Sequence, residues 1–208
     1  MTTLLLIRHA TNDALKNQLI VGRLPGVHLN EEGQAQALAV AERLAEVDLT
    51  AVYSSPMERA LETARPLAAR HGLEVQIHPG LHEVDCGRWS GQPVERLRRR
   101  RLWRTLVMCP SSIRFPGGEN AWEVQTRMVA ALEEIRVTHP GKTVAVVSHA
   151  DPIKVAVAHY LGLPLDLFHR LKVAPASLTV LALDGAVPQL VRLNDIGHLP
   201  CPQGRWGA

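Results

Sequence analysis

Three apolar runs of this chain end in residues that can meet a phosphoryl group. Leu4-Leu5-Leu6-Ile7 runs into Arg8-His9, and Val144-Ala145-Val146-Val147 into Ser148-His149. Between them Ala51-Val52-Tyr53 runs into Ser54-Ser55-Pro56, with Arg59 one turn into the next helix. A guanidinium presents a planar fork of donors that matches phosphate oxygens in pairs. Imidazole can attack phosphorus and, held neutral, needs no adjacent base as a serine would. Two arginines and two histidines gathered in one place would surround a phosphoryl group with donors.

To gather them, the three runs must be neighbouring strands ending on one side of a sheet. The chain alternates short aliphatic runs with longer amphipathic ones, the pattern of strand–helix–strand units. The fold class is therefore α/β: a three-layer sandwich with a mostly parallel central sheet and helices on both faces. Strands are expected over 3–8, 51–54, 74–78, 143–148, 178–183 and 189–194, with Asp184-Gly185 turning the chain between the last two. Helices are expected over 31–47, 56–71, 93–103, 119–139 and 152–161. Asn30 can cap the first, while Ser55-Pro56 and Asp151-Pro152 each pair an N-cap residue with proline at the first helical position. Helix 56–71 carries a stripe of Met57, Ala60, Leu61, Ala64, Leu67 and Ala68 at helical spacing. Open parallel sheets bind ligands at the carboxyl ends of their strands, where helix N-termini favour anions.

Five ordered motifs resemble those of the histidine phosphatase superfamily, the phosphoglycerate mutase-like proteins. They are Arg8-His9-Ala10; the stretch from Tyr53 to Ala64; the loop from Leu81 to Gly91, with Glu83 and Asp85; Phe115-Pro116-Gly117-Gly118-Glu119; and Val147-Ser148-His149-Ala150. Within that superfamily the chain is most similar to the small phosphomutase-like, broad-specificity branch. The resemblance implies that His9 becomes a phosphohistidine while Arg8, Arg59 and His149 hold the phosphoryl oxygens. It implies that Glu83, with Asp85 as its rival, protonates the leaving alcohol and later activates water. Asn12, Arg23 and His82 are candidates for touching substrate, and neither metal nor cofactor is expected. Ala10 and Ala150 stand where glycine is usual, and would be strained if either needed positive φ. The remaining histidines, including His28, His78 and His169, are expected to be structural.

The 208 residues suit one domain, expected over 1–198 with a tail over 199–208, and the resemblance implies a small helical cap near 88–118. No apolar stretch approaches the roughly 20 residues that span a bilayer, so no membrane partner is expected. Cys86, Cys109 and Cys201 are too few and too scattered for a disulfide framework, which points to a reducing cytoplasm. The net charge of +3 does not imply nucleic acid. The arginine-rich run from Arg96 to Arg104 lacks interleaved stacking aromatics, so it reads as a solvated face that could steer anionic substrates. It or residues 165–168 could also form a homodimer surface. The expected activity is metal-independent hydrolysis of a small phosphorylated metabolite. A phosphoglycerate mutase-type phosphomutase and a catalytically silent phospho-ligand binder are the alternatives.

Overall fold

The structure, a computed structural model, describes residues 1–183 and 187–200. Six strands form one sheet: β1 (Thr2–Arg8), β2 (Leu49–Ser54), β3 (Val75–Ile77), β4 (Thr143–Ser148), β5 (Leu178–Leu183) and β6 (Pro188–Asp195). Their order is β3-β2-β4-β1-β5-β6. The first four run parallel; β5 adds antiparallel beside β1, and β6 pairs antiparallel with β5. Thus β1, whose end carries Arg8-His9, lies between β4 and β5 at the centre.

The consecutive apolar residues of β1 and β4 are explained by burial on both faces. Leu5, Ile7, Val52, Ala145 and Val147 pack on one face against α2 (Glu31–Arg43) and α3 (Glu58–Arg70), which follow the four-residue α1 (Asp13–Lys16). Leu4, Leu6, Tyr53, Val144 and Val146 pack on the other face. There they meet α6 (Ala121–Thr138) and α7 (Ala150–Tyr160), which come after α4 (Val94–Arg98) and α5 (Arg101–Met108). A strand whose alternate side chains enter two cores can be apolar throughout.

Several local expectations are corrected. The helix expected over 93–103 breaks into α4 and α5, because Arg100 is extended at φ −85° and ψ 140°. The break lets Leu97 and the half-buried Leu102 and Trp103 enter one cluster with buried Trp89, whose ring stacks on Trp103 at 6.1 Å. All the arginines of that run face solvent. Neither Ser55 nor Asp151 is an N-cap: α3 starts after Met57 and α7 after His149. Asn30 does cap α2, accepting from Gly33 N at 3.0 Å. Leu165 and Phe168 are buried within the chain against Val124 and Val155, so they are not an exposed surface for a second copy. Ala10 and Ala150 need no left-handed backbone, since the only non-glycine residues with positive φ among those described are Gln18, Ala176 and Asn194. The Asp184-Gly185 turn and most of the expected tail lie outside the described residues.

Candidate active site

Strand register brings the motif ends together. Arg8 pairs with Ser148, and Ser54 with Val147, so β1, β2 and β4 finish at one level. Just beyond, His9 N donates to Ser148 O and Ser55 N to Val147 O, both at 2.9 Å. Two histidines 140 positions apart thus become neighbours, with ring centroids 5.1 Å apart.

His9 is buried, and its Nδ1 lies 2.8 Å from the Ala10 carbonyl. A carbonyl only accepts, so Nδ1 carries the proton and Nε2 keeps its lone pair. Burial first, then the positive charges of Arg8 and Arg59, holds this imidazole well below the usual histidine range. His149 is fully buried and lowered in the same direction by burial, Arg59 and His9. Its Nε2 meets Ser55 Oγ at 2.8 Å, while Nδ1 faces Arg59 Nη2 at 3.3 Å and Glu83 Oε2 at 3.6 Å. The hydroxyl expected to cap a helix instead holds a histidine.

The two arginines are anchored by backbone and still have donors to spare. Arg8 Nη1 donates to Val173 O at 2.7 Å, and Arg59 Nη2 to Gly22 O at 3.0 Å. Thr63 Oγ1 accepts from Ala10 N and donates to Arg59 O, tying α3 to the segment after the nucleophile. Arg8 Nε, Asn12 Nδ2, Arg59 Nη1 and His82 Nδ1 are buried with no protein partner. Buried donors are seldom left unpaired, and phosphoryl oxygens are the acceptors this set suits.

Glu83 sits on the opposite rim. Its Oε1 accepts from Val84 N at 2.9 Å, and burial pushes its carboxyl above the usual range against the pull of Arg59 and Arg8. Asp85, its rival, spends Oδ1 on Gly87 N at 2.9 Å, and only Glu83 joins His9 and His149 in a cluster with ligand atoms within 4.8 Å. Those three could contact a cation by distance, yet the charges of Arg8 and Arg59 also bear on the pocket. Beside Glu83 lies a largely apolar cavity lined by Val84, Leu106, Phe115, Val155 and Phe168, with Asp151 on one side.

The sequence-named substrate candidates differ in outcome. Asn12 is buried and its Oδ1 caps α1 through Leu15 N, leaving Nδ2 unpaired. His82 is half-buried and held below the usual histidine range by burial and by Arg23 and Arg127. Arg23 instead donates to Glu83 O at 2.9 Å and to Glu119 Oε1 at 2.8 Å, so it is tied to the acid loop. Sequence reasoning missed Arg127, which meets the same loop. The Gly-Gly-Glu motif marked Glu119, but a lone arginine in an amphipathic helix carries no signal.

The histidine phosphatase superfamily (branch 1) matches residues 4–196 of this chain. Phosphoserine phosphatase 1 of Hydrogenobacter thermophilus is 34% identical over 204 residues, 96% of this chain and 95% of its own. A probable phosphoglycerate mutase, GpmB, of Enterobacter sp. is 29% identical, covering 97% of both chains. Among solved structures, phosphoserine phosphatase of Entamoeba histolytica superposes with a TM-score of 0.88 at 25% identity, covering 96% of this chain and 100% of its own. Mycobacterial glucosyl-3-phosphoglycerate phosphatase Rv2419c does so at 0.85 and 27%, covering 92% and 98%. The chain belongs to the histidine phosphatase superfamily.

Proposed function

We propose that this superfamily member hydrolyses small phosphomonoesters through a phosphohistidine at His9 Nε2, without a metal. One observation carries the reading: an imidazole held well below the usual histidine range, with its lone pair on Nε2, shares a pocket with a carboxyl that burial pushes above the usual range. Nε2 attacks phosphorus, the P–O bond to the alcohol breaks, and Glu83 delivers its proton to the departing oxygen. Water then attacks the phosphohistidine, the N–P bond breaks, and the Glu83 carboxylate takes the water's proton. Charge on the equatorial oxygens is met by Arg8, Arg59, Asn12 and His149, in the manner of a loose phosphoryl-transfer transition state. The two guanidinium charges do here what a metal does elsewhere, so EDTA should leave the rate unchanged.

The segment near 88–118 acts in this reading as a cap, and the apolar cavity beside Glu83 receives the alcohol. The relatives' names point to a phosphoserine- or phosphoglycerate-like metabolite. Cys86 and Cys109 are both free, which fits a reducing cytoplasm. Among the described residues no helix is long and apolar enough to cross a membrane.

Acid-quenched reaction with a 32P-labelled monoester should trap label on the wild type and none on His9→Ala. A silent binder would show no label on either. Mutase turnover on 3-phosphoglycerate far above phosphate release would replace hydrolysis with phosphoryl transfer to a second hydroxyl.

A further inference from the structure

The geometry points to Arg127 and Glu119 as positioning residues for the general acid, acting through the backbone of the Glu83 loop; this rests on the assignment of Glu83 as acid. Arg127 has five N–H donors, and five bonds use them. Nη1 reaches Gly80 O at 2.9 Å and His82 O at 2.7 Å, and Nη2 reaches Glu83 O at 3.0 Å. Nε and the same Nη2 grip the two oxygens of Glu119 at 2.9 and 3.0 Å. One guanidinium on α6 therefore holds three carbonyls of the acid loop, including that of the acid itself.

Glu119 completes the frame from the other side. Its Oε1 also accepts from Arg23 Nη2, and its Oε2 from Asp85 N at 2.9 Å. Arg23 Nε returns to Glu83 O, which thus takes donors from two arginines. The carboxyl of Glu119 is held below its usual range, since its bonds to Arg127 and Asp85 N outweigh the opposing effect of burial. Backbone fit explains the glycine beside it. A Cβ on Gly118 would sit 2.1 Å from Asp85 O, so only glycine lets the Glu119 turn lie against the acid loop. Glu119 N then donates to Asp85 O at 2.9 Å.

The bonds of Arg127 and Glu119 run to the acid loop, to each other and to Arg23, so their effect on the reaction passes through where Glu83 lies. A displacement of the order of 1 Å in a reacting group costs about 100-fold. Lysine keeps the charge of Arg127 but cannot span three carbonyls and a carboxylate. Arg127→Lys and Glu119→Gln should each slow His9 phosphorylation by alkyl phosphates by about 10- to 100-fold. The loss should be much smaller with p-nitrophenyl phosphate, whose leaving group needs little protonation.

Single-turnover alcohol release across leaving groups of graded pKa reads this directly, and the slope should steepen in both variants. The same substitutions placed on Glu83→Gln should leave its slope unchanged, since the acid they position is gone. Equal losses on all leaving groups, or full additivity with Glu83→Gln, would overturn the assignment and leave only a structural role. Should Glu119→Gln fold poorly, Arg127→Lys carries the test alone. A wild type with no labelled His9 would overturn the phosphatase reading instead.

Discussion

The two halves of the site are built by different means. On the nucleophile side, Arg8 ends β1, while His9, Ser55 and His149 are the first residues past three parallel strands, and the ladder itself sets their spacing. Opposite them, Glu83 stands on a loop with no ladder, held by Arg127, Arg23 and Glu119 through side chains. Ser148 Oγ adds one stitch between the halves, donating to Leu81 O at 2.8 Å. A backbone ladder fixes atoms through many shared bonds, while a clamp depends on a few groups and can be loosened one at a time.

Breaking the nucleophile side should cost most: His9→Ala should bring monoester turnover to background, read by phosphate release. On the acid side, Glu83→Gln should lose about 100- to 10,000-fold on alkyl phosphates and far less on p-nitrophenyl phosphate. Equal losses on both would remove Glu83 from the acid role.

The contrast also has a pH signature. Because Glu83 is pushed up, it keeps its proton beyond the usual carboxyl range, and kcat/KM should fall as pH rises through that raised value. Replacement by glutamine should flatten this limb. For stability, His9 and His149 are lowered in the folded chain while unfolded histidine titrates near pH 6.5. Below that pH the unfolded state binds more protons, so stability falls on acidification from about 6.5 downward. Denaturant midpoints of His149→Gln should show a shallower acid slope. An unchanged slope would mean that the ring is not buried neutral.

The cap surface should respond least. Arg100→Ser with Arg104→Ser should change stability by about 0.5 kcal/mol or less, as solvated surface positions do. What it should weaken is the fall of kcat/KM with added salt for dianionic substrates, if this face steers them.

How much of this was legible follows the same division. The aliphatic runs and the polar residues ending them announced β1, β2, β4 and the pocket, because a doubly covered strand leaves a continuous apolar trace. Glu83 needed the motif around it. The clamp was hidden: Arg127 meets Gly80, Glu83 and Glu119 only after α6 docks beside the acid loop, and no spacing in the chain encodes that. Ser55 and Asp151 misled for a related reason. Their proline neighbours fit a capping rule, yet Ser55 is used by His149, and Asp151 lies in the first turn of α7 with Lys154 at 3.1 Å.

The central place of β1 has a consequence for synthesis. It is made well ahead of both its sheet neighbours, β4 and β5, which begin at residues 143 and 178. Pairings of such long sequence separation form late. A nascent chain therefore carries the nucleophile through the synthesis of α2, β2, α3 and α6 without a partner strand to seat it. Unpaired Leu4-Leu5-Leu6-Ile7 is an aggregation-prone segment during that interval. Truncation ahead of β4 should yield an insoluble product rather than a weak enzyme.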